Sequence, residues 1–171
     1  MADIRALPQL DDLYREVVLD HYRKPRGRHP LAAPTACTDG FNPTCGDQVR
    51  VAFELDGKRI RDLSVESQGC SISVASGSMM AELLPGKTIE EARGVTAAFK
   101  RMMHGAPLDP GQDLGDLDAL SGVARYPVRV KCALLAWTTL EESLRSITHS
   151  PAGESRTGIA GTDGPTTEER P

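Results

Sequence analysis

The most informative shortages in this sequence concern aromatic residues, basic charge and long apolar runs. Aromatic residues make up only 4% of the 171 positions, so the interior of the folded chain must be mostly aliphatic. Acidic residues (24) outnumber basic ones (20), which argues against a general nucleic-acid binder, since such proteins carry a basic excess. The apolar run around residues 132–137 falls far short of the roughly 20 residues that a membrane span needs. We therefore expect partners other than nucleic acid or membrane.

The chain also lacks a secretory signal and a CxxC pair, and both absences bear on the chemistry of its cysteines. The chain opens without the charged and then apolar segment of a secretory signal, which predicts a cytoplasmic protein. In a reducing compartment, thiols are more often metal ligands or reactive groups than disulfide partners. The chain has four cysteines but no CxxC pair, so the most specific zinc-finger spacing is absent. The chemistry of the cysteines has to be judged from the residues around them.

Alternating apolar residues predict a β-hairpin in the first half of the chain. Residues 49–55 alternate between apolar and polar, and the Asp-Gly pair at 56–57 is a strong signal for a two-residue turn. The apolar phase of the return strand slips between Ile60 and Leu63, which predicts a bulge there. Residues 30–43, by contrast, show no period and are predicted to form a loop.

Apolar residues at helical spacing predict the remaining elements. Helices are expected over residues 10–24, 71–84, 89–103 (with a capping box at Thr88) and 131–147, and a short helical turn over 116–123. The fold class we predict is α+β, a small antiparallel sheet of about three strands with helices packed mainly on one face. The domain would span residues 1–148. Residues 149–171 are predicted to be a disordered tail, because they cannot bury enough apolar surface to offset their ordering entropy.

Three cysteines and one aspartate lie where predicted elements meet. Cys45 and Asp47 lie on a loop just before the first predicted strand. Cys70 lies between the sheet and a helix, and Cys132 lies in the first turn of the last predicted helix. Helix N-termini favour the thiolate, and Gly46 allows a bend by which two side chains could reach one ion. Three thiolates and one carboxylate would form a closed tetrahedral zinc site, but the spacing alone leaves open three unrelated buried thiols.

The same cysteines lie within longer motifs. These motifs are NPTCGD at 42–47, QGCSISVASGS at 68–78 and YPVRVKCALLAW at 126–137. In this order they resemble the SufU proteins, members of the IscU/NifU N-terminal group of iron–sulfur cluster biogenesis, and residues 13–26 resemble the N-terminal helix of that group. The likeness covers about residues 10–147. Two features favour SufU over IscU: Lys131 stands where IscU proteins carry a His, and the chain has an additional segment around residues 113–123.

The resemblance implies both a cofactor and a partner. It implies a zinc ion held by four ligands, Cys45, Asp47, Cys70 and Cys132. It also implies a PLP-dependent cysteine desulfurase of the SufS type, which displaces Cys45 from the zinc. Cys45 would then be the catalytic residue, taking the sulfane sulfur of the desulfurase persulfide. The predicted function is a zinc-dependent sulfur acceptor, or sulfurtransferase, for iron–sulfur cluster assembly, with a downstream SufB-containing complex as a candidate recipient.

Two other functions use the same residues. In the first, the chain is a scaffold that assembles an iron–sulfur cluster, so that iron replaces zinc on the same Cys and Asp ligands. The lack of a His at position 131 counts against this function. In the second, the zinc site is purely structural, and its removal would unfold the protein. That alternative does not explain the likeness of the N-terminal helix, which the wider group uses to meet its desulfurase.

Several residues near these motifs receive separate interpretations. Cys37 belongs to no motif and is predicted to be a solvated loop thiol. His21 is interpreted as structural or partner-facing rather than as a metal ligand. Arg129 and Lys131 could offset part of the negative charge of the site or contact the desulfurase. Residues 116–120 are predicted to be a solvated turn, with a partner contact as the alternative.

Overall fold

The computed structural model describes residues 8–149, which form four α-helices, one 3₁₀ helix and a three-stranded antiparallel sheet. In chain order these elements are α1 (Pro8–Arg23), β1 (Ala36–Asn42), β2 (Asp47–Asp56), β3 (Arg59–Gln68), α2 (Ser71–Leu83), α3 (Ile89–Met103), the 3₁₀ helix (Gly115–Arg125) and α4 (Pro127–His149). The arrangement confirms the predicted α+β class. Apart from the backbone of His149, the predicted tail lies outside the described residues. Within residues 8–149, no helix is both long and apolar enough to cross a membrane.

The sheet has the strand order β1-β2-β3, so that both hairpins are antiparallel. Asn42 lies opposite Asp47 at the end of the β1–β2 hairpin. Between β2 and β3 the register shifts by one residue, because Ile60 and Asp62 have partners on β2 and Arg61 has none. The predicted bulge is therefore confirmed. It lets the apolar residues on both sides of the slip face the same core.

Helices cover one face of the sheet, as predicted. Along β2, Val49, Val51 and Phe53 are buried, whereas Gln48 and Arg50 on the other face are exposed. The covering helices are α2 and α4, which also pack against each other. The many Ser, Ala and Gly residues of α2 have small side chains, which allow α2 and α4 to lie close together. The end of the sheet at which the β1–β2 turn lies is therefore bordered by both helices.

The strand β1 corrects the prediction that residues 30–43 form a loop. Its burial alternates, but the more buried positions carry small or polar residues, whereas Phe41 is 59% exposed. The cause is the close passage of α4. A Cβ atom at Gly40 would overlap the Thr139 hydroxyl of that helix. Because the inward positions of β1 have to be small, the apolar alternation that identifies a strand is missing.

The last helix begins earlier than predicted. The apolar stripe predicted a start near Lys131, but α4 begins at Pro127. Proline is well suited to the first helical position, because its missing N–H would have no intrahelical partner there. Cys132 is consequently the sixth residue of α4 and lies in its second turn. The prediction that Cys132 gains from the positive end of the helix dipole is wrong for this reason.

The predicted capping box at the start of α3 is present. The Thr88 hydroxyl accepts a hydrogen bond from the Glu91 N–H at 3.1 Å, and the Thr88 N–H donates to Glu91 Oε2 at 2.8 Å. This second bond holds the pKa of the Glu91 carboxyl below its ordinary value. Two N–H groups at the start of the helix that lack intrahelical partners are satisfied in this way.

Replacing Thr88 with alanine is expected to lower the free energy of unfolding by about 1 kcal/mol, since one cap hydrogen bond is lost. Urea denaturation followed by circular dichroism measures the change. Thr148→Ala is the control, because Thr148 is exposed and its hydroxyl only donates to the Arg145 carbonyl of its own helix. Equal stability of the two variants would contradict a contribution from the capping box.

Candidate metal centre

The three cysteine motifs meet at one end of the sheet. Cys45 lies in the β1–β2 turn and Asp47 is the first residue of β2. Cys70 lies at the junction of β3 and α2, and Cys132 lies on α4. Ligand atoms of Cys45, Asp47 and Cys132 lie within 4.8 Å of one another. Cys70 is not a member of this set, although its backbone N–H donates to Asp47 Oδ1 at 2.9 Å. The structure thus brings three of the four predicted ligands together and places the fourth beside them.

The turn geometry determines which of these groups is accessible. Gly46 has φ 73°, a left-handed conformation that glycine adopts without steric cost, and its N–H donates to the Asn42 carbonyl at 2.8 Å. This bend places Cys45 at the surface of the turn, half-buried. Asp47 and Cys132 are fully buried, at 0% and 1% exposure. Cys45 is therefore the member of the set that a large partner could reach.

Asp47 is held on both of its oxygens. Oδ1 accepts the hydrogen bond from the Cys70 N–H, and Oδ2 accepts one from Asn42 Nδ2 at 3.4 Å. The same Asn42 amide lies 3.7 Å from Cys132 Sγ. Asn42 therefore orients two members of the set. No separate role for Asn42 is predicted from the sequence, and its sequence signal is its place as the first residue of the NPTCGD motif.

Gly69 also borders the Asp47 carboxylate. Its φ of 148° is unfavourable for residues with a side chain, and a Cβ atom there would overlap Asp47 Oδ1. The backbone at residue 69 can approach the carboxylate only because glycine has no side chain. This close approach aligns the N–H of Cys70, the next residue, with Asp47 Oδ1.

The pKa of the Cys132 thiol differs from the prediction that a helix N-terminus favours its thiolate form. Burial raises the pKa of the Cys132 thiol well above its ordinary value, and contacts with Asp47 and the other two thiols act in the same direction. The positive charge of Arg129 offsets part of the negative charge that these thiols carry when they are ionised. Interactions with Cys70 first, and also with Cys132, raise the pKa of its guanidinium. A buried set of acidic groups of this kind becomes fully ionised only when a cation accompanies it.

The donor set fits a zinc ion. Two thiols are soft ligands and one carboxylate is a hard ligand, and zinc, a borderline ion, accepts both kinds. Two thiolates on one tetrahedral zinc, each about 2.3 Å from the metal, stand about 3.8 Å apart. That separation agrees with ligand atoms gathered within 4.8 Å. The thiol of Cys70, which contacts Cys132, is the nearby candidate for a fourth position.

The remaining candidates lie outside this group. Cys37 is exposed, as predicted, but it lies on β1 rather than in a loop. His21 is buried and hydrogen-bonded to Ser78 and Asp116, away from the Cys/Asp group. The prediction of a solvated turn at residues 116–120 is wrong, because leucines at 117 and 120 are fully buried in the core.

Two features together define the class of protein that this chain resembles. They are a small α+β fold and a Cys/Asp group at one end of its sheet. The chain belongs to the NifU-like N-terminal domain family, whose pattern matches residues 13–133. It is 46% identical over 135 residues to the zinc-dependent sulfurtransferase SufU of Bacillus subtilis (strain 168), covering 79% of this chain and 91% of that protein. It is 38% identical to the iron–sulfur cluster assembly scaffold protein IscU of Streptococcus pyogenes serotype M1, covering 82% and 87%.

Solved structures show the same fold. One is an iron–sulfur cluster assembly scaffold protein for the SUF system from Fervidobacterium islandicum AW-1, with 35% identity and a TM-score of 0.70 over 75% of this chain and 94% of that one. Another is the N-terminal part of a nitrogen-fixing NifU-like protein from Brucella abortus, with 26% identity and a TM-score of 0.74 over 83% and 99%. The predicted resemblance and the IscU/SufU-like fold are both confirmed.

Proposed function

We propose that this chain is a zinc-dependent sulfur acceptor of the SufU type that serves iron–sulfur cluster assembly. The observation that carries the proposal is the unequal burial within one ligand group. Asp47 and Cys132 are fully buried, whereas Cys45, within 4.8 Å of both, is only half-buried. Buried ligands are suited to holding an ion, and one accessible thiol is suited to reacting with a partner. The similarity to a zinc-dependent sulfurtransferase supports this assignment.

Four residues would hold the zinc, namely Cys45, Asp47, Cys70 and Cys132. Zinc, when bound, supplies the positive charge that keeps the buried thiols in their thiolate form. Asp47 is oriented by the Cys70 N–H and the Asn42 amide, which is the outer-shell support that metal ligands require. Cys132 is fixed by its place on α4 and by its contacts with Asn42 and Cys70.

The transferring partner would be a PLP-dependent cysteine desulfurase of the SufS type. The thiolate of Cys45 attacks the outer sulfur of the persulfide on that enzyme. A new S–S bond forms on Cys45 as the original S–S bond breaks, and the cysteine of the desulfurase leaves as a thiolate. The electron count balances without an added oxidant or reductant. The sulfane sulfur then resides on Cys45, from where a SufB-containing complex is a candidate recipient.

The test is alanine production by the cognate desulfurase, with excess cysteine and reductant, measured with and without the zinc-loaded protein. If the chain accepts sulfur, it regenerates the desulfurase thiol in each cycle, so that alanine release accelerates over many turnovers. Folding and zinc content of the added protein are checked first, by circular dichroism and metal analysis. No acceleration by a folded, zinc-loaded protein would overturn the sulfur-acceptor proposal.

A second candidate function is an iron–sulfur cluster scaffold on the same ligands. It is favoured by the 38% identity to a protein named as an IscU scaffold. Lys131 argues against it, because the residue before the last cysteine offers no imidazole to a metal. Anaerobic reconstitution with iron and sulfide distinguishes the two functions. Stable iron and acid-labile sulfide on the protein, followed by transfer to an apo-protein, would support the scaffold.

We expect Arg129→Gln to weaken zinc retention severalfold, because the guanidinium that offsets the charge of Cys70 and Cys132 is lost. Competition with a chromogenic chelator measures the effect. Lys131→Gln is the matched control, since it removes the same charge from an exposed residue next to Cys132. If both substitutions weaken zinc retention equally, the effect is one of net charge, and the specific role of Arg129 is contradicted.

A further inference from the structure

A second group of metal-ligating side chains lies away from the cysteine motifs. His21 on α1, Glu82 on α2 and Asp116 on the 3₁₀ helix each place one ligand atom within 4.8 Å of the other two. The three residues line a cavity of about 190 Å³, whose other walls include Met79, Leu83 and Leu114. Three separate elements therefore converge on one small space, and no residue is shared with the Cys/Asp group.

The burial of the three residues differs in a way that suits an ion site. The His21 side chain is 1% exposed, whereas those of Glu82 and Asp116 are 52% and 50% exposed. An imidazole is thus fixed at the inner end of the cavity, and the two carboxylates lie at its outer end, where they meet solvent. An ion could enter from the carboxylate side without disturbing the core.

The buried imidazole has the outer-shell support that metal-ligating histidines require. His21 Nδ1 lies 2.7 Å from the Ser78 hydroxyl, and that hydroxyl oxygen is itself fixed by the Arg26 N–H at 2.8 Å. When Nδ1–H donates to Ser78, the Nε2 lone pair points toward Asp116 and is free to bind an ion. When the hydroxyl instead donates to Nδ1, Nε2–H donates to Asp116. Without an ion, the 2.7 Å contact between Nε2 and Asp116 Oδ2 requires this second arrangement, because a proton has to lie between the two atoms. Rotation of the Ser78 hydroxyl permits the first arrangement once an ion takes the place of that proton.

The local charge favours a cation. Two carboxylates and a neutral imidazole carry a formal charge of −2, and the cation in contact with them is Arg26, whose Nε lies 3.2 Å from Glu82 Oε2. Arg26 is shared, because its guanidinium also donates to Asp20 at 2.7 Å. We propose that His21, Glu82 and Asp116 form a second site, for a first-row divalent transition-metal ion that accepts one nitrogen and two oxygen ligands.

Ion binding would replace one hydrogen bond. His21 Nε2 and Asp116 Oδ2 lie 2.7 Å apart, whereas two ligands of a tetrahedral ion with bonds of 2.0–2.1 Å stand about 3.3 Å apart. The half-exposed Asp116 can retreat by this small amount because its side chain reaches solvent. The bound ion would then tie the 3₁₀ helix to α1 and α2 through three ligands instead of one hydrogen bond.

Cobalt titration of the full chain, loaded beforehand with one zinc per molecule, tests the proposal. Cobalt bound by His21, Glu82 and Asp116 gives d–d absorption without a thiolate-to-cobalt charge-transfer band, whereas exchange into the cysteine site produces that band. The expected result is one cobalt ion per chain of the first kind. We expect Glu82→Gln and Asp116→Asn each to weaken its binding about tenfold or more.

Asp118→Asn is the matched control, because it removes an equal charge from the same 3₁₀ helix outside the cluster. Unchanged cobalt binding in this variant supports the site. Glu82 is half-exposed, so its substitution tests the ligand without a risk to folding. Three outcomes would overturn the proposal: cobalt that binds only with the charge-transfer band, binding that survives both ligand substitutions, or equal weakening by Asp118→Asn. The result is independent of sulfur transfer, which is read from alanine production.

Discussion

Cys45→Ser is expected to abolish persulfide uptake, leaving sulfur transfer at the level seen without the protein. The serine hydroxyl cannot form the S–S bond that receives the sulfane sulfur, so no slower version of the reaction exists. Because Cys45 is only half-buried on a turn, the substitution should leave the sheet and the helices intact. Incubation with the desulfurase and ³⁵S-cysteine, followed by separation under non-reducing conditions, measures the label on the acceptor.

The matched control for this prediction is Cys37→Ser. Cys37 is exposed on β1 and belongs to the same chain, but it lies outside the Cys/Asp group. Burial is the main cause that raises its pKa, which disfavours the reactive thiolate. Label on the Cys37→Ser protein should equal that on the unchanged protein. Retention of label by Cys45→Ser, or its loss from Cys37→Ser, would contradict the assignment of Cys45 as the acceptor.

The sequence allowed much of the fold to be predicted wherever local pattern and tertiary packing agree. The hairpin, its bulge at Arg61 and the capping box at Thr88 all follow from nearby residues, and all are present. The strand β1 could not be predicted, because residue 40 has to be a glycine to make room for α4, a helix about 100 residues further along the chain. A pattern that is dictated by a distant element leaves no periodic signal of its own.

The candidate site could likewise be predicted only in part. Of the four ligands that the motifs predict, the structure gathers Cys45, Asp47 and Cys132. The fourth, Cys70, lies beside this set and donates its N–H to Asp47. The role of Asn42 could not be predicted, since its amide reaches Cys132 across 90 positions and only folding creates that contact. The apolar stripe predicts too late a start for the last helix, and therefore a helix-dipole effect on the pKa of the Cys132 thiol that the structure does not show. With α4 beginning at Pro127, burial dominates over the helix dipole.

Gly69→Ala should be among the most damaging single substitutions for both stability and zinc binding. The φ of 148° at this position is strained for alanine, and the added Cβ would overlap Asp47 Oδ1 and lie 2.9 Å from its Cγ. Asp47 is fully buried, at 0% exposure. Its displacement would leave the Cys70 N–H without a partner, at a cost of about 1–3 kcal/mol beyond the backbone strain. We expect zinc affinity to fall about tenfold or more, as for loss of outer-shell support.

Gly57→Ala separates backbone strain from steric overlap in this prediction. Gly57 also has a positive φ, at 61°, but a Cβ there would meet no atom within 4 Å. Its substitution should therefore cost only the left-handed backbone penalty of roughly 1–2 kcal/mol and leave zinc affinity unchanged. Urea denaturation and chelator competition on both variants give the comparison. If Gly69→Ala loses no more stability than Gly57→Ala and retains its zinc, then the close approach of residue 69 does not position Asp47, and the carboxylate must be held by Asn42 and the turn alone.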